Sequence, residues 1–129
     1  MDQEKLVAIA LDARQRAYAP YSSFAVGAAL LDSDGRTFAG CNVENVSFGL
    51  TMCAERVAIG SALAAGSTRF QAIAVVSDSA EPVVPCGACR QVLAEFSTDL
   101  RIVSATTNGL ITEFSLACLL PSPRQGILG

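Results

Sequence analysis

The sequence contains no histidine, although it contains five cysteines in 129 residues. Histidine is the commonest general base near neutral pH and the commonest metal ligand, so its absence removes both uses. Catalysis by this chain must therefore depend on carboxylates, thiolates or a bound metal ion. An odd number of cysteines cannot all pair in disulfides, and reducing compartments disfavour such bonds. We therefore expect thiols that bind metal, react or fill the core.

Long apolar runs and a surplus of basic residues are also absent. No run approaches the roughly 20 apolar residues that a membrane helix needs. The N-terminal stretch MDQEKLVAIALDARQ is charged and lacks the features of a signal peptide. Lys and Arg total 9 and the formal net charge is −3, which gives no broad positive surface for a polyanion. These features predict a cytoplasmic protein whose partners include no membrane and no nucleic acid.

Apolar residues, in contrast, are abundant. They make up 51% of the chain, and the mean hydropathy is +0.42. This is more than a small core requires, so we expect part of the apolar surplus to line a subunit interface. The length and the lack of repeats or linkers predict a single domain over residues 1–129.

Hydrophobic periodicity and turn residues predict the order of the elements. We expect a first helix that begins after Asp2 as N-cap and ends before Pro20, and a final hairpin around Asn108–Gly109. The predicted ranges are helices over 2–18, 51–65 and 87–96, and strands over 24–32, 36–44, 70–78, 101–107 and 111–115. This order predicts an α/β domain with one mixed sheet and helices packed on it.

Two short motifs carry the candidate chemistry. TMCAERVA contains Cys53 and Glu55, and PCGACRQ contains Cys86 and Cys89. Each motif lies at a predicted helix start, where free N–H groups and the helix dipole favour the thiolate that zinc binds. Three protein ligands leave a fourth tetrahedral position open for water, as in catalytic zinc sites. Glu55 lies two residues beyond Cys53, so its carboxylate can approach that water and move its proton.

Each of these features also has a purely structural interpretation. A lone C-x-x-C is often half of a structural zinc site or a redox pair. Cys41 could complete a closed site of four thiolates, and Glu55 could only complement the helix dipole. The combination of C-A-E with P-C-G-A-C-R-Q after a buried strand favours the catalytic interpretation.

Together with YAPYSSFAVGAALL and GCNVENVSFG, these motifs closely resemble those of the small homotetrameric zinc-dependent cytidine deaminases. The resemblance covers nearly the whole chain. It implies a single three-layer α/β domain with a mixed central β-sheet and helices on both faces, a Zn²⁺ cofactor and a homotetramer. It also implies hydrolytic deamination of cytidine and 2′-deoxycytidine to uridine and 2′-deoxyuridine, with release of ammonia, in pyrimidine salvage.

The resemblance also implies roles for individual residues. It makes Cys53, Cys86 and Cys89 the zinc ligands and Glu55 the proton shuttle. We further hypothesise that Arg56 donates to a zinc thiolate and offsets the negative charge of three thiolates. The alternative for Arg56 is a plain surface position on the helix.

The substrate-binding residues follow from the same resemblance. Phe24 packs near the pyrimidine, and the backbone at Ala54 contacts the polar edge of the base. Asn42 and Glu44 bind the ribose hydroxyls, and their paired amide and carboxylate suit a vicinal diol. Phe48 reaches the site of a neighbouring subunit.

The C-terminal stretch departs from the family pattern. The family commonly has a phenylalanine soon after LLP, whereas this chain reads LLPSPRQGILG with Arg124 near that position. The departure leaves open a different aminopyrimidine nucleoside as substrate, such as a modified cytosine nucleoside or a blasticidin S-like molecule. A non-catalytic, zinc-stabilised nucleoside-binding protein is the alternative from another functional class.

Two remaining cysteines and four phenylalanines are predicted to be structural. We interpret Cys41 and Cys118 as buried small hydrophobes. The predicted core aromatic residues are Phe38, Phe70, Phe96 and Phe114.

Overall fold

Five strands form one mixed sheet in the order β2-β1-β3-β4-β5. The structure is a computed structural model that describes residues 1–124. The strands are β1 (Val26–Asp32), β2 (Thr37–Cys41), β3 (Phe70–Ser77), β4 (Arg101–Thr106) and β5 (Ile111–Ser115). Strands β3 and β4 are parallel, and the other neighbouring pairs are antiparallel. The predicted mixed sheet is therefore confirmed.

The helices cover both faces of this sheet. They are α1 (Gln3–Arg14), α2 (Ala54–Ala64), α3 (Gly87–Phe96) and α4 (Leu116–Leu119), with a 3₁₀ turn at Phe48–Leu50. Helix α1 packs with the side chains on one face of β1 and β3, and α2 and α3 pack with those on the other. Strands β1, β3 and β4 are almost wholly buried, which is the consequence of helices on both faces. The predicted three-layer α/β class is confirmed.

Two glycines allow the helices to approach the sheet closely. A Cβ atom on Gly27 of β1 would lie 1.9 Å from the Ala10 carbonyl oxygen of α1. A Cβ on Gly40 of β2 would lie 2.4 Å from the Ala54 carbonyl oxygen of α2. Any side chain at these positions would therefore collide with helix backbone. The position of α2, which begins the candidate site, depends on this contact.

The first helix is shorter than predicted. Asp2 is the N-cap, as expected, and its carboxylate accepts a hydrogen bond from the Lys5 N–H at 3.1 Å. The helix ends at Arg14, well before Pro20, because the chain beyond it turns to pair Tyr18 with Val43. The prediction that this helix reaches residue 18 was wrong.

Other element boundaries shift by a few residues. Helix α2 begins at Ala54 because Cys53 has extended backbone angles and Met52 pairs with Val43. The final hairpin turns at the predicted place, where Gly109 has a φ of +90° that suits glycine. The sequence did not predict the 3₁₀ turn or α4. A single domain over residues 1–129 stays a prediction, because residues 125–129 lie outside the described part.

The two cysteines assigned to the core are more exposed than predicted. Cys41 is half-buried on the edge strand β2 and donates to the Arg16 carbonyl oxygen at 3.6 Å. Cys118 is exposed on the short helix α4. The interpretation of both as buried hydrophobes was wrong, because both lie at the margins of the fold. The four phenylalanines pack in or against the main core, as predicted.

None of the helices within residues 1–124 combines the length and the apolar character needed to cross a bilayer.

Candidate metal centre and active site

Three cysteine sulfurs converge where two helices begin. Cys53 is the N-cap of α2, Cys86 is the N-cap of α3, and Cys89 lies in the first turn of α3. Their sulfur atoms all lie within 4.8 Å of one another, and those of Cys53 and Cys86 are 3.8 Å apart. A tetrahedral zinc ion with bonds of about 2.3 Å separates its sulfur ligands by about 3.8 Å. The spacing of Cys53 and Cys86 therefore matches a tetrahedral zinc ion, and the other sulfur pairs exceed that spacing by at most about 1 Å.

The cluster contains three ligands and not four. Within residues 1–124, the group of neighbouring His, Cys, Asp and Glu side chains that could hold an ion consists of the three cysteines. Cys41 is not part of it, so the structure does not support a closed site of four thiolates. One tetrahedral position is left for a non-protein ligand, as in catalytic zinc sites.

The electrostatics of the cluster favour a thiolate at Cys53. The hydrogen bond between Cys89 and Cys53, together with the Arg56 guanidinium and Cys86, lowers the pKa of Cys53 to about 5. The pKa of Cys89 is raised, first because it shares that hydrogen bond with Cys53 and then because it is buried. Metal binding requires thiolates, so loading this cluster releases protons from it.

Arg56 lies beside the cluster. Its Nη2 atom donates to the Cys53 sulfur at 3.6 Å and to the Thr51 carbonyl oxygen at 3.2 Å. Its pKa is raised, first by the hydrogen bond to Cys53. The side chain therefore places a positive charge against a sulfur, which a surface position would not do.

Glu55 is a buried carboxylate in the first turn of α2. It is only 5% exposed, and desolvation by this burial raises its pKa above the usual value. A raised pKa brings a carboxyl group closer to the pH at which it both takes up and releases a proton. These are the properties that a proton shuttle needs.

A cavity of about 290 Å³ opens in front of Glu55. It brings together five of the residues singled out in the sequence, namely Phe24, Asn42, Cys53, Ala54 and Glu55. Its other lining residues were not predicted: Val26, Thr51, Val75, Val83 and Val84. Val83 and Val84 directly precede the P-C-G-A-C motif in the sequence. This adjacency was the signal that could have identified them as cavity residues. The cavity thus joins an apolar wall to a few polar groups, as small-molecule sites do.

Asn42 anchors the wall of this cavity. Its Oδ1 accepts from the Val26 N–H at 2.9 Å, and its Nδ2 donates to the Phe24 carbonyl oxygen at 2.7 Å. Asn42 is 8% exposed. Each of its polar atoms retains capacity for one further hydrogen bond.

Glu44 and Phe48 line a second, adjoining cavity of about 360 Å³. Thr51 borders both cavities. The pKa of Glu44 is lowered, first because the Ser22 hydroxyl donates to its carboxylate. Phe48 is 74% exposed and contacts the Tyr21 ring edge-on, with the ring centroids 6.1 Å apart. The structure therefore places these two residues beside the Glu55 cavity and not in it.

Arg124 lies away from both cavities. Its Nη2 atom donates to the Glu95 carboxylate at 3.0 Å on the outer side of α3. Within this chain, Arg124 is therefore a surface ion pair. The rest of the C-terminal stretch singled out in the sequence, residues 125–129, lies outside the described residues.

A three-layer α/β fold with three cysteine sulfurs and a buried glutamate at two helix starts is the arrangement of zinc-dependent nucleobase deaminases. The family model for the cytidine and deoxycytidylate deaminase zinc-binding region matches residues 1–106. The chain belongs to this family. Its cofactor is accordingly zinc.

Individual relatives and solved structures agree with the family model. The chain is 52% identical over 122 residues to a cytidine deaminase of Sporosarcina psychrophila, covering 94% of this chain and 90% of that protein. It is 49% identical over 122 residues to a cytidine deaminase of Halalkalibacterium halodurans, covering 94% and 92%. A crystal structure of cytidine deaminase from Burkholderia pseudomallei superimposes with a TM-score of 0.90 at 51% identity, covering 94% of this chain and 98% of that one.

Proposed function

We propose that the protein catalyses the hydrolytic deamination of cytidine and 2′-deoxycytidine to uridine and 2′-deoxyuridine, with release of ammonia. The observation that carries this proposal is the buried Glu55 carboxylate, which opens into the same cavity as Phe24 and Asn42 beside Cys53. The relatives named above, all called cytidine deaminases, support the choice of substrate. A pyrimidine salvage role follows from this reaction.

Cys53, Cys86 and Cys89 hold the zinc ion in this proposal. The support is the fit of their sulfur positions to a tetrahedral ion and the low pKa of Cys53. When bound, zinc supplies the Lewis acidity that lets water act as a nucleophile near neutral pH. Arg56 balances part of the thiolate charge through its hydrogen bond to Cys53.

Glu55 moves the protons of the reaction. Its carboxylate takes a proton from the attacking water and delivers it to N3 of the base, which makes C4 more electrophilic. It then carries the second proton to the departing amino group, so that ammonia and uridine are the products. One carboxylate acts in turn as base and acid, and the raised pKa of Glu55 suits both roles. The chain therefore needs no histidine.

The cavity walls orient the nucleoside. Phe24 packs against the pyrimidine, and the backbone N–H of Ala54 meets its polar edge. Ala54 is the first residue of α2, where N–H groups have no partner within the helix and can donate to a ligand. Asn42 in the Glu55 cavity and Glu44 in the adjoining cavity accept hydrogen bonds from the ribose hydroxyls.

Ultraviolet absorbance during incubation with cytidine tests this function. The zinc-loaded protein should convert cytidine to uridine, and Glu55→Gln should bind equal zinc but lose at least about a thousandfold in kcat, within the range for proton-transfer groups. No conversion of cytidine by zinc-loaded wild-type protein, with nucleoside binding retained, would instead indicate a non-catalytic binder. Conversion only of a modified aminopyrimidine nucleoside would replace the proposed substrate.

We also propose that the protein is a homotetramer in which Phe48 completes a neighbouring subunit's site. Val46, Phe48 and Leu50 are 75%, 74% and 67% exposed, a degree of apolar exposure that usually marks a contact surface. Light scattering after gel filtration should give four times the chain mass. Leu50→Asp should lower the mass and reduce turnover, whereas a fully active monomer would exclude a shared site.

The proposed location is the cytoplasm. Three cysteines must stay as thiolates to bind zinc, and a reducing compartment keeps them so. Cell fractionation checks this directly, and recovery of the protein from an oxidising compartment would contradict it.

A further inference from the structure

The backbone that carries Phe24 into the cavity is held by two hydrogen bonds to side chains. Phe24 remains 37% exposed, although it lines the cavity beside Glu55. Apolar contacts within the chain therefore do not by themselves fix its ring. The position of the ring depends on how the loop around it is held.

Both peptide groups of Phe24 are held by side chains. Its N–H donates to the Ser22 hydroxyl oxygen at 3.0 Å, and its carbonyl oxygen accepts from the Asn42 amide at 2.7 Å. Asn42 lies 18 residues further along the chain and Ser22 only two residues before. Asn42 is itself held on the sheet, because its N–H donates to the carbonyl oxygen of Val26 in β1. Ser22 lies outside the strands and needs another partner to hold it in place.

Ser22 is anchored on Glu44. Its hydroxyl donates to one carboxylate oxygen of Glu44, and the other oxygen accepts from the N–H groups of Tyr21 at 2.9 Å and Ser22 at 3.1 Å. A serine hydroxyl has one proton to donate and lone pairs to accept with. Ser22 uses both, so a continuous chain of hydrogen bonds runs from Glu44 through Ser22 to Phe24.

A local serine turn is the simpler alternative. Serine often accepts from the N–H two residues on, without any distant partner. Two observations go beyond such a turn. The hydroxyl proton is used by a carboxylate 22 residues away. Ser23, between Ser22 and Phe24, has a φ of +59°, a left-handed conformation that a non-glycine residue adopts only when its surroundings require it.

We propose that Ser22 is a positioning residue that links the carboxylate of Glu44 to the backbone of Phe24. In this arrangement one hydroxyl fixes the positions of both the Glu44 carboxylate, which binds the sugar, and the Phe24 ring, which packs on the base. The inference rests on the proposed function, because it assumes a nucleoside that spans both groups. It adds to that function a residue that touches neither the zinc cluster nor Glu55.

Ser22→Ala tests the link, with Ser115→Ala as the matched control. Ser115 also donates its hydroxyl to a carboxylate, that of Asp99 at 2.8 Å, but it lies on β5 away from both cavities. Calorimetric titration with uridine measures affinity without turnover, and cytidine kinetics give KM and kcat. We expect Ser22→Ala to raise the uridine Kd and the cytidine KM about tenfold, as for one lost hydrogen bond to a charged group, with kcat changed less than about twofold.

Two further variants separate positioning from a general loss of structure. Ser22→Thr keeps the hydroxyl and should recover affinity to within about threefold of wild type. In a Phe24→Leu background, Ser22→Ala should weaken uridine binding by clearly less than the tenfold expected in wild type, because the ring is gone and only the effect on Glu44 remains. Irreversibly misfolded protein would reduce the number of uridine sites in the titration and leave the affinity of the remaining sites unchanged, and a melting curve for each variant shows whether reversible unfolding lowers its apparent affinity.

Several results would overturn the proposal. These are wild-type uridine affinity in Ser22→Ala, no recovery in Ser22→Thr, an equal loss in Ser115→Ala, or effects of Ser22 and Phe24 that multiply independently. Wild-type protein that neither binds uridine nor converts cytidine would refute the proposed function itself. Wild-type protein that converts cytidine while Ser22→Ala matches it in affinity would refute only the link.

Discussion

Gly40→Ala should disturb the zinc site although the residue has no side chain and touches no ligand. The added Cβ would lie 2.4 Å from the Ala54 carbonyl oxygen and 2.5 Å from the Ala58 N atom, both in the backbone of α2. Ordinary contact begins near 3.4 Å, so α2 must move away from the sheet by about 1 Å. Overpacking of this kind costs about 1–3 kcal/mol. For a chain of this length, that corresponds to a melting temperature lower by about 4–12 °C.

The same movement should weaken zinc binding. Cys53 lies at the start of α2, whereas Cys86 and Cys89 lie on α3. A metal site tolerates errors of only about 0.2 Å in its bonds, so a 1 Å shift of α2 distorts it. Thermal melting at fixed protein and zinc concentration, with zinc content after dialysis against a weak chelator, measures both effects.

Two other glycines provide the controls. Gly27→Ala collides with α1, which carries none of the three cysteines, so it should lower the melting temperature and leave zinc affinity unchanged. A Cβ on Gly60 of α2 meets nothing within 4 Å, so Gly60→Ala should stabilise the protein by about 0.5–1 kcal/mol through helix propensity. A melting temperature and zinc retention in Gly40→Ala equal to those of wild type would refute this prediction, because they would show that α2 accommodates a Cβ at residue 40 without moving.

Three further predictions concern Arg56, Asp32 and the zinc ion. Arg56→Ala should keep stoichiometric zinc but lower kcat about tenfold, within the range for residues next to metal ligands. Atomic absorption would measure the zinc content and cytidine kinetics would measure kcat. An unchanged rate would contradict the role of Arg56. Burial alone would raise the pKa of Asp32, but hydrogen bonds from Ser67 and Arg36, among others, hold it below its usual value of 3.8. The folded state therefore prefers the ionised carboxylate, which stabilises the protein above pH 3.8 and ceases to do so as the pH falls further. Urea unfolding should show that the free energy of unfolding falls less steeply from pH 6 to 3 in Asp32→Asn than in wild type. An equal fall with pH in the two proteins would contradict this. Removal of zinc by a strong chelator should abolish turnover and lower the melting temperature. Adding Zn²⁺ should restore both and adding Mg²⁺ should not, because thiolates are soft ligands that bind zinc and not a hard cation. Activity that survives metal removal would refute the metal assignment.

The sequence predicted those parts of the site that are local in the chain. Cys53 and Glu55 are two residues apart, and Cys86 and Cys89 are three apart, so short motifs contain their geometry. Helix α3 was predicted over residues 87–96, the same range as in the structure, because Cys86 and a proline before it mark its start. The mixed sheet and its helices also followed from hydrophobic patterns.

The parts that escaped prediction depend on contacts between distant segments. Nothing local reveals that Glu44 accepts three hydrogen bonds from residues 21 and 22, because that contact forms only when the segment after β2 meets the segment before β1. The early end of α1 has the same origin, since the pairing of Tyr18 with Val43 draws the chain out of the helix. The exposure of Cys118 depends on α4, which is too short to leave a periodic pattern in the sequence.

The site is positioned largely by residues that contribute no functional group. Gly40 allows α2 to lie directly on the sheet, and Ala54 and Ala58 are fully buried at that contact. A helix this close to the sheet brings its N-terminal turn level with the start of α3, where the other two sulfurs lie. A larger side chain at Gly40 would leave Cys53, Glu55 and their motif intact but move them away from α3. The motif specifies which atoms are present, and the small residues behind it specify where those atoms meet.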